Sequence, residues 1–210
     1  MKNYKVYPNV TIGEGAVIGD YVLIGVPPRG KKEGELKTVI GKNAVIRSHS
    51  VIYAGNKIGD NFETGHYAFL REENVVGNNV RIGTSSAVQH CVRIEDNVSM
   101  HTGVFVPEYS ILEEGCWLGP RVVLTNTPHP VCPRAKECLK KGCKVGRFAQ
   151  VGANATLLPH ISIGEYSLIG AGSVVTKDIP AKKVAAGNPA KIIKEVGDLR
   201  CRYDEAFSPY

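Results

Sequence analysis

An apolar residue recurs at every sixth position from Ile40 to Leu124. Fourteen of those fifteen positions are aliphatic or Met, and Thr64 is the departure. The same beat runs through Ile12, Ile18 and Ile24, and again from Val145 through Val151, Leu157, Ile163 and Ile169 to Val175. A helix face repeats every 3.6 residues and a half-buried strand every 2, so neither produces this spacing over such a span. Stacked short units do, because each is too small to bury its apolar face alone. Gly often follows the aliphatic residue (Gly41, Gly59, Gly77, Gly83), and a small or β-branched residue often stands four places after it (Ala44, Ser50, Ala68, Val80). The pattern predicts an all-β solenoid of short strands and tight corners. It slips twice, across the polar, Gly/Pro/Lys-rich stretches between Ile24 and Ile40 and between Leu124 and Val145.

Composition narrows the partners. The 26 basic and 20 acidic residues leave a charge of +6 that is unevenly placed. Residues 125–147 carry six cations against Glu137 alone, and residues 177–202 carry seven against three acids. Local basicity without an aromatic-interleaved stripe or a recognition-helix pattern points to a small anionic ligand, with nucleic acid excluded. The start, MKNYKVYPNV, lacks an apolar signal region, and no apolar run approaches 18 residues, so a cytoplasmic protein with no membrane partner is expected. Six cysteines in that compartment read as thiols or metal ligands.

The six-residue unit headed by [Leu/Ile/Val]-Gly resembles the hexapeptide-repeat acyltransferases, over residues 9–195. The resemblance implies a left-handed parallel β-helix of about eight triangular coils, three hexapeptides to a coil, with a short C-terminal helix. It also implies a homotrimer that uses acetyl-CoA. On this reading residues 1–180 form the β-helix, with loops at 26–38 and 125–144, and residues 181–210 form a helical cap and tail. Residues 18 apart then stack at the spacing of paired strands, roughly 4.8 Å. Both loops leave the repeat class of Leu70, Val88 and Val106, so they emerge from one edge of the prism.

The position two after each aliphatic residue on that edge holds Glu72, His90, Glu108 and Asn126, each 18 from the next. A carboxylate one coil from an imidazole orients it and raises its basicity. His90, in a segment that looks like the catalytic-histidine segment of several family members, is the expected general base. Glu108 or Glu72 is its partner, and the spacing leaves open which. His101, Asn126 and His66 are expected near the substrate. The run Ile169–Pro180 into Ala186–Lys194 closely resembles the coenzyme A end of these transferases. It nominates Gly170, Ala171, Lys177, Gly187, Asn188, Pro189 and Lys191 for the cofactor, with Pro189 opening a helix and the lysines answering phosphates. The loop residues His129, Cys132, Cys138 and Cys143 have short spacings compatible with a structural zinc.

For the acceptor, Gly103–Ser110 and Gly119–Asn126 are similar to sugar-nucleotide N-acetyltransferases. That implies a UDP- or dTDP-linked 3-amino deoxysugar destined for surface polysaccharide, its diphosphate held by Arg29, Lys31 and Lys32. The alternatives are O-acetylation of a simple sugar or of serine, a zinc protein like the γ-class carbonic anhydrases, and a scaffold with no activity. The carbonic anhydrase pattern requires two histidines five apart, and this chain has no H-x4-H.

Overall fold

The computed structural model describes residues 3–133, 141–201, 203, 204 and 206. Its elements are almost all strands of two or three residues, one for each hexapeptide. They sort by threes into three parallel sheets that form the faces of a prism. Face A contains β10 (Phe69–Leu70), β13 (Ala87–Val88), β16 (Phe105–Val106), β19 (Val123–Leu124), β22 (Thr156–Leu157) and β25 (Val174–Val175). The strands that follow each of these lie in face B and then in face C, so the chain visits A, B and C in turn. Eight complete coils result, and a ninth begins with β25 and continues through a bridge between Ile163 and Ile179.

The six-residue beat is the inside of the prism. The aliphatic residue of each strand points inward and is almost wholly buried from Ile24 onward, whereas Ile12 and Ile18 in the first coil are half-buried. The residue four places later closes each interior corner, as at Ala44, Val80, Val92 and Val98. Burying one such side chain contributes about 1.5–3 kcal/mol, and the benefit is realised only when the coils above and below are present. Thr64 fits inside because its hydroxyl accepts the Arg47 amide at 2.9 Å and meets Ser50 Oγ at 3.2 Å. A buried hydroxyl with partners is tolerated where a bare one is not.

Corners turn by placing the third residue after the aliphatic one at positive φ. Asn does this at Asn43, Asn61, Asn79 and Asn97, whose carboxamides form an outward ladder at 2.9–3.2 Å. Asn tolerates this region better than most residues.

Both slips of the beat follow face A strands. One lies between β4 (Leu23–Val26) and β5 (Thr38–Ile40), and the other between β19 and β20 (Lys144–Val145). The solenoid closes beneath the second: Leu112 pairs with Val145, and Leu124 with Leu157.

The expected C-terminal helix is replaced by a hairpin. β26 (Lys183–Gly187) pairs in parallel with β24 (Leu168–Ile169), and β27 (Ala190–Glu195) folds back antiparallel on β26. Pro189 sits in the turn between them and opens no helix. Ala185, paired with Ile169, continues the inward row over the open end of face C, and the residue before a proline is disfavoured in helical geometry. A single 3-10 turn, Val196–Asp198, follows.

Candidate functional site

The register along face A is unbroken from β10 to β19, with Phe69, Ala87, Phe105 and Val123 in successive pairs. The residues two beyond each strand end therefore stack at the corner between faces A and B, and Glu72, His90, Glu108 and Asn126 form one column. Backbone bonds pin successive corners: the Cys91 amide donates to Glu72 O at 3.2 Å, and the Tyr109 amide to His90 O at 3.4 Å.

The two carboxylates beside His90 have different partners. Glu72 is buried and gripped by the Arg71 guanidinium, whose Nε and Nη2 donate to its two oxygens at 2.8 and 2.7 Å. Burial alone raises its pKa, but the Arg71 hydrogen bonds and charge prevail and hold the carboxyl below its usual value. Glu108 Oε1 lies 3.8 Å from His90 Nδ1, while Oε2 accepts from Asn126 Nδ2 at 2.8 Å. His90 Nδ1 is buried and has no hydrogen-bond partner at this distance. The side chain as a whole is 30% exposed, which leaves Nε2 as the nitrogen able to meet a substrate. The Tyr109 ring stands edge-on to the imidazole at 5.5 Å. Such an assembly suits general base chemistry: one nitrogen faces a carboxylate and the other faces outward.

The remaining nominated residues lie elsewhere. His101 is exposed on the corner beyond face C and stands edge-on to Trp117 at 5.3 Å. His66 is exposed on that same corner, two coils earlier. Neither belongs to the His90 column of its own chain. Gly170 and Gly187 meet at the end of face C: Ser173 Oγ donates to Gly170 O at 2.7 Å and receives the Gly187 amide at 3.2 Å. Ala171, Gly187, Asn188, Pro189 and Lys191 are exposed around this turn. No heavy atom stands within 4 Å of where a Cβ on Gly172 would lie, so the wall is low and open. Lys177 falls two beyond Val175, in the register position of His90, four strands along face A.

The loop cysteines do not assemble. Cys143 stands one residue before β20, in the interior corner row that also holds Val92 and Ser110, and is 1% exposed. Its thiol donates to Thr125 O at 3.2 Å, and burial pushes its pKa up. A thiol held this way stays protonated inside the coil, whereas His129 is exposed. Among the described residues no three His, Cys, Asp or Glu side chains converge as metal ligands, and Cys138 lies outside those residues. In the first loop Lys31 is taken by Glu35 at 2.6 Å, so that loop is less cationic than its lysines suggest.

Sequence reasoning missed Arg71 and Tyr109, each chain-adjacent to a nominated carboxylate. The signal for Arg71 was its position beside Glu72 at the end of the same strand.

The bacterial transferase hexapeptide (six repeats) matches residues 142–177, and the hexapeptide repeat of succinyl-transferase matches residues 73–107. The chain is 32% identical over 130 residues to galactoside O-acetyltransferase of Escherichia coli K12, covering 60% of this chain and 59% of that protein. It is 31% identical over 145 residues to the galactoside O-acetyltransferase of Lactococcus lactis IL1403, covering 65% and 64%. The chain thus spans about three fifths of the length of these relatives. The solved UDP-N-acetylglucosamine acyltransferase from Campylobacter jejuni superimposes with a TM-score of 0.54 at 18% identity, over 92% of this chain and 73% of that one. The shared fold is the left-handed β-helix, whose hand runs against the usual right-handed crossover.

Proposed function

We propose that this chain, a hexapeptide-repeat protein of the transferase type, transfers an acetyl group from acetyl-CoA to a sugar hydroxyl. The observation that carries the reading is the His90–Glu108 pair, with Nδ1 buried toward a carboxylate and the outer nitrogen exposed. His90 Nε2 takes the proton from the acceptor as its oxygen attacks the thioester carbonyl, and Glu108 stabilises the imidazolium that forms. The coenzyme leaves as a thiol once the carbonyl reforms. Glu72, engaged by Arg71, acts as a structural neighbour.

The low wall at Gly172, beside exposed Ala171 and Gly187, suits a pantetheine arm lying along the coils, and Lys177 and Lys191 suit its phosphates. These groups occupy different corners of one chain, so a second copy that closes the cleft is part of the reading.

The hydroxyl acceptor is preferred because galactoside O-acetyltransferases are similar to this chain over three fifths of its length or more. N-acetylation of a nucleotide-linked amino sugar is the second reading, supported by the resemblance of the Gly103–Ser110 segment. The pairing of Lys31 with Glu35 in the first loop weakens its nucleotide handle.

Free-thiol release from acetyl-CoA, measured across simple hexoses and galactosides, serine, and UDP- and dTDP-amino sugars, tests both. Turnover on a sugar hydroxyl is expected. Turnover on an amino sugar alone replaces the acceptor, and no turnover on any of them defeats the reading. With the accepted sugar, His90→Ala is expected to lower kcat at least tenfold and leave the KM for acetyl-CoA unchanged.

A further inference from the structure

Asn126 was expected to touch substrate, but its side chain is turned inward. It is 6% exposed, and its carboxamide is occupied at both ends. Nδ2 donates to Glu108 Oε2 at 2.8 Å, and Oδ1 accepts from Thr127 Oγ1 at 3.1 Å. The carboxylate defines the amide's orientation: Glu108 Oε2 only accepts, so the amino group has to face it, and Oδ1 is left to accept from the Thr127 hydroxyl. Glu108 is thereby held by one oxygen, and its other oxygen is the one facing His90 Nδ1.

The backbone behind Asn126 is also fixed. Thr125 O accepts the Cys143 thiol at 3.2 Å, Thr125 Oγ1 donates to Leu157 O at 2.9 Å, and the Gly142 amide donates to Tyr109 O at 3.3 Å. Both stems of the 125–143 loop are therefore tied down beside Glu108 and Tyr109.

We propose that Asn126 is a positioning residue, which locks Glu108 so that its free oxygen selects the Nδ1–H form of His90. The proposal rests on the reading of His90 as the base. An imidazole with Nδ1–H toward a carboxylate presents an unprotonated Nε2, which is the form a general base requires. A carboxylate left free to rotate meets Nδ1 only part of the time, and the tautomer preference relaxes.

The test needs no acceptor. Ring 15N chemical shifts of His90, recorded at about pH 8.5 where an ordinary imidazole of pKa about 6.5 is neutral, report the ratio of the two tautomers. The wild-type protein is expected to hold mainly the Nδ1–H form. Asn126→Leu, which keeps the bulk and removes the donor, is expected to lower that fraction at least twofold, as is Glu108→Ala. Adding Asn126→Leu to Glu108→Ala is expected to change nothing more, because the amide acts through the carboxylate.

An unchanged ratio in Asn126→Leu overturns the proposal, as does an equal shift in the Glu108→Ala background. Asn126→Ala repeats the measurement should the leucine variant melt earlier than wild type. Once an accepted sugar is in hand, kcat in Asn126→Leu should fall three- to tenfold with the KM for that sugar unchanged; a raised KM instead makes Asn126 a substrate contact. Wild-type thiol release by His90→Ala would defeat the reaction itself while leaving the tautomer result standing, so the two failures are distinguishable.

Discussion

Glu72 and Glu108 sit one coil either side of His90 and share the sheet register, yet their neighbours give them different roles. Arg71 follows Leu70 directly and reaches Glu72 with two N–H groups, so this carboxylate is matched and buried. Hydrogen bonds between charged groups contribute about 1.5–3 kcal/mol each, and the bidentate geometry adds directionality. Because the native pKa of Glu72 is lowered, its stabilisation is complete above the ordinary carboxylate value of 4.5 and is lost as pH falls through the lower native value. Glu72→Gln should therefore melt below wild type at pH 7, with the difference shrinking as the pH is taken below 4.5, as followed by thermal denaturation. A gap that stays constant down to pH 3 would show that packing, not charge, sets the cost. Activity should suffer less in Glu72→Gln than in Glu108→Gln, compared through kcat on the same acceptor.

Among elements, the 125–143 segment departs furthest from its sequence reading. Its cysteines and His129 have spacings compatible with a metal site, but the solenoid takes Cys143 for itself. The coil closes under the loop with Leu112 against Val145, which places residue 143 in the interior corner row. Spacing along the chain does not show this, because the stem that carries Cys143 belongs to the core. The consequence is a reactivity order. Native-state alkylation with iodoacetamide, mapped by peptide mass spectrometry, should label half-exposed Cys132 well before Cys143 and Cys116. Equal labelling of Cys132 and Cys143 would contradict the buried, protonated thiol. The C-terminal hairpin shows the same competition at the other end. Ala185 extends the inward row beyond Ile169 and makes β26 one more strand of face C, which decides against the helix that Pro189 suggested.

For the whole molecule, the prism places His90, the proposed base, at the corner between faces A and B and the small-residue turn at the corner between faces C and A. Face A lies between them. His90 and Glu108 side chains keep 30% and 25% exposure, more than a water-excluding site retains. On the proposed reading, a neighbouring copy that brings its small-residue turn against the His90 corner would supply a further wall. Sedimentation equilibrium should accordingly give about three times the 22.7 kDa chain mass. A monomer mass at micromolar concentration, with acetyl transfer intact, would place the whole site on a single chain and remove that argument.

Much of this architecture is legible in the sequence because a solenoid makes tertiary contact a function of sequence distance. Residues 18 apart stack, so the six-residue beat yields the core, the three faces, the edge shared by both loops and the column from Glu72 to Asn126. Only the folded chain shows which carboxylate faces His90 Nδ1. That depends on side-chain reach across and along the corner: Arg71 captures Glu72, and Asn126 captures one oxygen of Glu108. The fates of Cys143 and of the C-terminal segment were likewise decided in three dimensions. Both lie where the beat breaks, and there burial against neighbouring coils, rather than local pattern, determines the structure.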